Sequence, residues 1–234
     1  MSRATTPLNG GVLADAVRDG QPSLGTFIGM ATPVSAEVCA ASGFDWVLLD
    51  LEHGAGGEEQ VRDVVPAAGI MLPRLNGAAE VGTVLTHLRY PPAGNRGVAT
   101  YNRACQFGLD PAALDRADHE TLCVVQIEST AAVADADAIA ALDGVDVLYV
   151  GPRDLSHDLG VPGDTTAHAY VQALDTVLAA ARRHGKAAGM LVPDGAAAAS
   201  RLEQGWTFLA IGSDSTLLAN TIRTELARAR TSST

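Results

Sequence analysis

A chain of 234 residues is long enough to bury one full core, the size at which α/β barrels of about 200 to 250 residues fold as a unit. Its 16 Lys and Arg against 27 Asp and Glu leave a formal charge of -11 with no basic stripe, which argues against a nucleic-acid partner. No stretch approaches the roughly 18 uninterrupted apolar residues of a membrane span, and the N-terminal MSRATTPLNG lacks an apolar leader core, so a cytoplasmic protein without membrane attachment is expected.

In chain order, the pattern gives a helix over 9–19, a strand LGTFIGM over 24–30, and a helix over 33–42 capped by Thr32 before Pro33. A strand WVLLDLEH (46–53), a helix (57–67), a strand GIMLPR (69–74) and a helix (77–88) follow. The stretch 89–107 is too polar and Pro/Gly-rich for a regular element, and long ordered loops are often functional. Beyond it come a helix over 108–117 opened by Asp110 before Pro111, the strand LCVVQIES (122–129), a helix (130–141) and the strand VDVLYVGP (145–152). The chain closes with a helix (165–184), the strand AAGMLV (187–192), a helix (194–204) capped by Asp194, the strand FLAIGSD (208–214) and a helix (214–230). Apolar strands alternating with amphipathic helices specify a parallel α/β sheet, and no linker divides it, so residues 1–234 are expected to form one domain. Cys39, Cys105 and Cys123 are widely spaced and lack a CxxC pair, as expected of small buried hydrophobes in a reducing compartment.

In a parallel barrel the side chains just beyond the carboxyl ends of the strands converge on one mouth. Polar residues gather at those ends here: Asp50, Glu52 and His53 after one strand, Gln126 and Glu128 after another, and Asp154 in the GPRDLS that follows a third. Alternation puts Gln126 and Glu128 on one face of their strand. Glu128 and Asp154 then offer two hard oxygen ligands to Mg²⁺ or Mn²⁺, with positions left for water and a bidentate substrate. The alternative is a Glu128 paired with an arginine at the rim. His53 is suited to a general base, or to a structural role; His87, His119, His157, His168 and His184 fall in helices or loops as surface residues. Arg74, Arg96 and Arg103 are candidates for pairing with substrate carboxylates, or for rim ion pairs. GSDST (212–216) opens the last helix as an ordinary N-cap in preference to a phosphate cradle.

FDWVLLDLEHG (44–54), HLRYPPAGNRGV (87–98), VVQIES (124–129), VDVLYVGPRDLSHDLG (145–160), GKAAGML (185–191) and FLAIGSDSTLLA (208–219) together resemble the metal-dependent class II pyruvate aldolases of the HpcH/HpaI aldolase and citrate lyase family. The resemblance implies a TIM-type (β/α)₈ barrel of the phosphoenolpyruvate/pyruvate type. It also implies a homo-oligomer, trimer or hexamer, with the last helix exchanged between subunits. The implied reaction is cleavage or formation of 4-hydroxy-2-oxo acids, with a small 2-oxo acid and an aldehyde as partners. Position by position, Glu128 and Asp154 match the ligands of a divalent cation, Mg²⁺, Mn²⁺ or Co²⁺. His53 matches the base acting through a metal-bound water, and Asp50 and Gln126 match polar residues around the substrate. Gly151, Pro152, Arg153 and Asp154 match the segment whose backbone holds the 2-oxo acid's carboxylate.

The interval from His53 to Pro73 falls about one βα unit short of that pattern, and the third strand and third helix are the missing pieces. With them go an arginine that contacts the keto oxygen and an aspartate that pairs with the catalytic histidine. Arg74, one strand over, is the candidate replacement, and loss of such a contact costs about 10²- to 10³-fold in rate by analogy with oxyanion donors. Three functions follow: a metal-dependent aldolase, a catalytically impaired barrel that binds 2-oxo acids, and a citrate-lyase-like acyl-CoA lyase, disfavoured by the absence of a basic pocket for a nucleotide.

Overall fold

The structure, a computed structural model, describes residues 10–57, 59–61, 69–110 and 112–231. Among the described residues seven parallel strands form one sheet: β1 (Ser23–Ile28), β2 (Trp46–Leu49), β3 (Gly69–Leu72), β4 (Leu122–Ile127), β5 (Val147–Val150), β6 (Ala187–Val192) and β7 (Phe208–Ser213), in the order β2-β1-β7-β6-β5-β4-β3. Apart from β2 and β3, strands consecutive in the chain pair with each other, and the first pairs with the last. The two edges, β2 and β3, are consecutive in sequence and are not hydrogen-bonded to each other.

The sheet is curled, because residues from all seven strands share one interior cluster. Trp46, Leu122, Val124, Val147, Tyr149, Ala187, Phe208 and Ala210 are buried there, with Phe27, Leu48 and Met71 packed against them. The Phe27 ring of β1 lies 6.3 Å from the Tyr149 ring of β5, and Trp46 stacks on Phe208 at 4.4 Å. Strands three places apart in a flat sheet would stand on the order of 14 Å from each other. Among the described residues the architecture is an α/β partial barrel with a seam between β2 and β3.

Helices cover the outside. Alternate strand residues Cys123, Val125, Ile127, Leu148 and Val150 face outward into a second cluster. They meet Tyr170, Ala173, Leu174, Val177 and Ala181 of α8 (His168–Arg183), whose spacing draws one apolar stripe toward the sheet. Helix α1 (Gly10–Arg18) plugs the amino ends of the strands with Ala14 and Val17. Arg18 donates to the buried Asp146, which also accepts from the Cys123 backbone, so one carboxylate ties α1, β4 and β5 together. The three cysteines are buried and unpaired, as expected.

All seven expected strands are present. Helices α2 (Pro33–Ala41), α3 (Ala78–Leu88) and α9 (Gly195–Glu203) fall where the sequence places them, α2 and α9 capped by Thr32 and Asp194. The helix expected over 57–67 lies mostly outside the described residues. The helix expected over 108–117 is instead α4 (Ala113–Glu120), because Gln106 and Phe107 adopt left-handed backbone at the end of a tight turn over Arg103–Gly108. Asp110 therefore caps no helix and pairs with Arg116 at 2.8 Å. The helix over 130–141 is broken at Asp135 into α5 (Thr130–Ala134) and α6 (Ala136–Ala141). A short α7 (Pro152–Asp158) follows β5, and the last helix is α10 (Asp214–Thr231).

Candidate active site

Leu122 and Val124 of β4 point into the barrel, so the two-residue period carries Gln126 and Glu128 to the same side at the strand's carboxyl end. On β5, Val147 and Tyr149 point inward and Gly151 stands next in that row. A Cβ at Gly151 would lie 2.8 Å from Gln126 Nε2 and 2.8 Å from Glu128 Oε2, so glycine is what lets both side chains lie across the end of β5. Pro152 opens α7 at once, and Asp154 sits in its first turn.

Glu128 is held on both oxygens. Oε1 accepts from the Arg74 backbone N–H at 2.7 Å and Oε2 accepts from the Gln126 amide. Arg74 follows β3 with φ of 57°, a left-handed conformation that a non-glycine residue rarely adopts, and this turns its N–H toward Glu128. Its guanidinium lies 3.0 Å from Glu52 and 4.0 Å from Asp154. Glu52 Oε2 in turn lies 3.9 Å from His53 Nε2. Asp50 Oδ1 accepts from the backbone N–H groups of Glu52, at 3.0 Å, and His53, at 2.9 Å, which fixes the turn presenting those two residues.

Burial raises the Glu128 carboxyl above the usual carboxylate range; the Arg74 N–H and the Gln126 amide oppose this, while the charges of Asp154 and Glu52 add to it. The Arg74 guanidinium is raised, first by its hydrogen bond to Glu52. A buried carboxylate crowded by like charges is stabilised by a cation. Among the described residues no group of three or more His, Cys, Asp or Glu is set to hold an ion by itself. Glu128 and Asp154 fit a hard dication that takes two protein oxygens and fills its remaining positions from water and substrate.

Of the residues predicted from sequence, Gln126, Glu128, Gly151, Pro152, Asp154, Arg74 and the Asp50–His53 turn come together at this end. His53 is largely exposed, and Arg153 is exposed on α7. Arg96 is not brought in: its guanidinium sits 4.7 Å above the Tyr90 ring and donates to the Leu88 carbonyl at the end of α3. The side chain of Arg103 lies outside the described residues. The 212–216 segment is a helix cap, with Thr216 N donating to Ser213 Oγ and Ser213 N to Thr216 Oγ1 in a reciprocal box. Sequence reasoning placed Glu52 at a strand end without a role, and only its contact with Arg74 reveals one. A cavity of about 340 Å³ opens at the opposite, amino end of the strands, beside Arg18, Cys123 and Asp146. Arg18 and Arg89 there are already paired, with Asp146 and Asp143.

The family model described as HpcH/HpaI aldolase/citrate lyase matches residues 57–221. The chain is 35% identical to the hydroxypyruvate/pyruvate aldolase of Pseudomonas aeruginosa, over 88% of either chain. That alignment runs to 237 positions, more than the full length of this chain, so gaps fall on this side. It is 33% identical to the 4-hydroxy-2-oxo-heptane-1,7-dioate aldolase of Salmonella arizonae, over 88% of this chain and 89% of that one. Among solved structures, an HpcH/HpaI aldolase/citrate lyase family protein from Burkholderia cenocepacia J2315 superposes with a TM-score of 0.88 at 29% identity, covering 94% of this chain and 99% of that one.

Proposed function

The chain belongs to the HpcH/HpaI aldolase/citrate lyase family, and from that premise we propose that it is a divalent-metal-dependent aldolase acting on 4-hydroxy-2-oxo acids. The observation that carries the reading is the pair Glu128 and Asp154, brought from the end of β4 and the first turn of α7 to one barrel end, close enough for their charges to interact. The names of the relatives support the reaction class and a 2-oxo acid with an aldehyde as partners.

In this reading Glu128 and Asp154 hold Mg²⁺, Mn²⁺ or Co²⁺, which supplies Lewis-acid stabilisation of negative charge on the substrate's keto oxygen. Gln126 orients Glu128 and meets the substrate from the same strand. The N–H groups at the start of α7, from Arg153 and Asp154, receive the substrate carboxylate as helix amino ends do. His53 takes the C4 hydroxyl proton; the C3–C4 bond then breaks, its electron pair enters the enolate, and the aldehyde departs. Arg74 stands at the mouth as the fixed positive charge for that enolate oxygen, in a barrel that we read as lacking the third βα unit. Support for the shortened barrel comes from the gapped alignment. Assembly as a homo-oligomer through α10 belongs to the same reading.

The test is pyruvate release from a 4-hydroxy-2-oxo acid in the presence of Mn²⁺ or Mg²⁺. Glu128→Ala and Asp154→Ala are each expected to reduce turnover at least 10²-fold with the fold intact by circular dichroism. Unchanged turnover in both variants removes the site.

A further inference from the structure

Three carboxylates, Glu52, Glu128 and Asp154, face one guanidinium, that of Arg74. The guanidinium's close partner is Glu52 and not either of the two proposed metal ligands. It lies 3.0 Å from Glu52 through Nε, and its Nη2 comes only within 4.0 Å of Asp154. Arg74 is committed to this neighbourhood by its backbone, since its N–H is bonded to Glu128 and its φ is 57°. A long cationic side chain fixed so close to two ligands is a built-in competitor for any cation they hold, unless something draws it aside.

We propose that Glu52 is a positioning residue that parks the Arg74 guanidinium beside the Glu128–Asp154 pair, keeping both carboxylates available to a divalent cation and the guanidinium at the rim where an anionic substrate meets it. This deepens the aldolase reading and rests on the two-carboxylate site. The local chain supports the assignment. Glu52 cannot wander, because its own N–H and that of His53 are tied to Asp50 Oδ1, and a Cβ at Gly54 would come within 2.2 Å of the Asp50 carbonyl oxygen. The Glu52 side chain is only 35% exposed, whereas that of Arg74 is 69% exposed, so the carboxylate is the fixed partner and the guanidinium the one being held.

Removing Glu52 has two separable effects on a bound cation. It deletes a nearby negative charge, which weakens binding whatever Arg74 does, and it frees Arg74 to occupy the ligands. A double-mutant cycle on Mn²⁺ affinity separates them. Mn²⁺ binding is measured by calorimetry on the intact protein without substrate, for wild type, Glu52→Gln, Arg74→Met and the double variant. Arg74→Met is expected to tighten Mn²⁺ about twofold in the wild-type background and about tenfold in the Glu52→Gln background, returning the double variant to wild-type affinity or better. Equal effects of Arg74→Met in both backgrounds overturn the positioning role and leave the site standing. A wild-type protein that binds no Mn²⁺ overturns the site itself, and the inference with it.

Discussion

The Glu128 carboxyl is only partly compensated by the hydrogen bonds it accepts. Burial is the largest cause of its raised pKa, and the Arg74 N–H and Gln126 amide only partly offset it. A carboxyl with a raised pKa holds its proton more firmly folded than unfolded, so between the two pKa values the native state binds more protons. Stability of the metal-free protein therefore falls as pH rises through that interval, and the penalty is complete above the folded pKa. Glu128→Gln keeps an acceptor for Arg74 N–H and removes the charge. In EDTA at pH 7 it is expected to melt above wild type, the two curves converging as pH falls toward the ordinary carboxylate range. Coincident melting temperatures from pH 7 to 4.5 would contradict a desolvated Glu128. This residue was legible in the sequence, because the period of two runs unbroken from Leu122 and Val124 to Gln126 and Glu128. The Glu52–Arg74 contact was not, because it depends on the approach of two strands that do not pair with each other, and on a left-handed turn at a residue that is not glycine.

At the scale of elements, the strands were legible because the central strands of a parallel sheet are buried on both faces and read as apolar runs; β4 and β5 are buried at nearly every residue. Helix boundaries failed where a side chain serves a tertiary partner. Asp135 breaks the helix expected over 130–141, and its Oδ2 accepts from the first N–H of α3 at Ala78. Pro111 suggested a helix start, yet the preceding turn through Phe107 delays α4 to Ala113. The same economy of partners appears at the start of α5, where Ser129 Oγ accepts from Ala132 N at 3.1 Å and donates to Asn76 Oδ1 at 2.7 Å. Ser129 is at once the cap of α5 and the tether of the loop that carries Arg74. Ser129→Ala is expected to lower stability by about 1 kcal/mol, the usual worth of an N-cap. Urea denaturation should show this as a lower midpoint with unchanged slope; an unmoved midpoint would mean that the cap is replaced by water at no loss.

The whole molecule is asymmetric in how it buries its surface. In the central strands β4 and β5 inward and outward faces are both covered, and no helix among the described residues is long and apolar enough to cross a membrane. Helix α10 departs from this: past Asp214, which is buried and accepts from the Gly29 and Met30 N–H groups, every described residue from Leu218 to Arg230 is exposed. Leu218, Ile222 and Leu226 recur every fourth residue and are each about half exposed, at 50%, 49% and 50%, which makes one apolar stripe along the helix. Most helical stability in proteins comes from packing of an apolar face, and a stripe of three aliphatic side chains is the kind of surface that a second subunit covers. Burying what remains exposed of the three stabilises by a few kcal/mol per subunit, at roughly 1.5 to 3 kcal/mol for full burial of each. The homo-oligomer proposed above therefore makes a specific demand on these residues. Wild-type protein is expected to run as a trimer or hexamer in light scattering at micromolar concentration, and Leu218→Glu with Ile222→Glu to shift it to monomers. Because neither residue faces the barrel core, the monomers should retain the α/β circular dichroism spectrum, so that loss of assembly is distinguished from loss of fold. A wild type that is itself monomeric at that concentration, or a double variant that still assembles, would take α10 out of the interface.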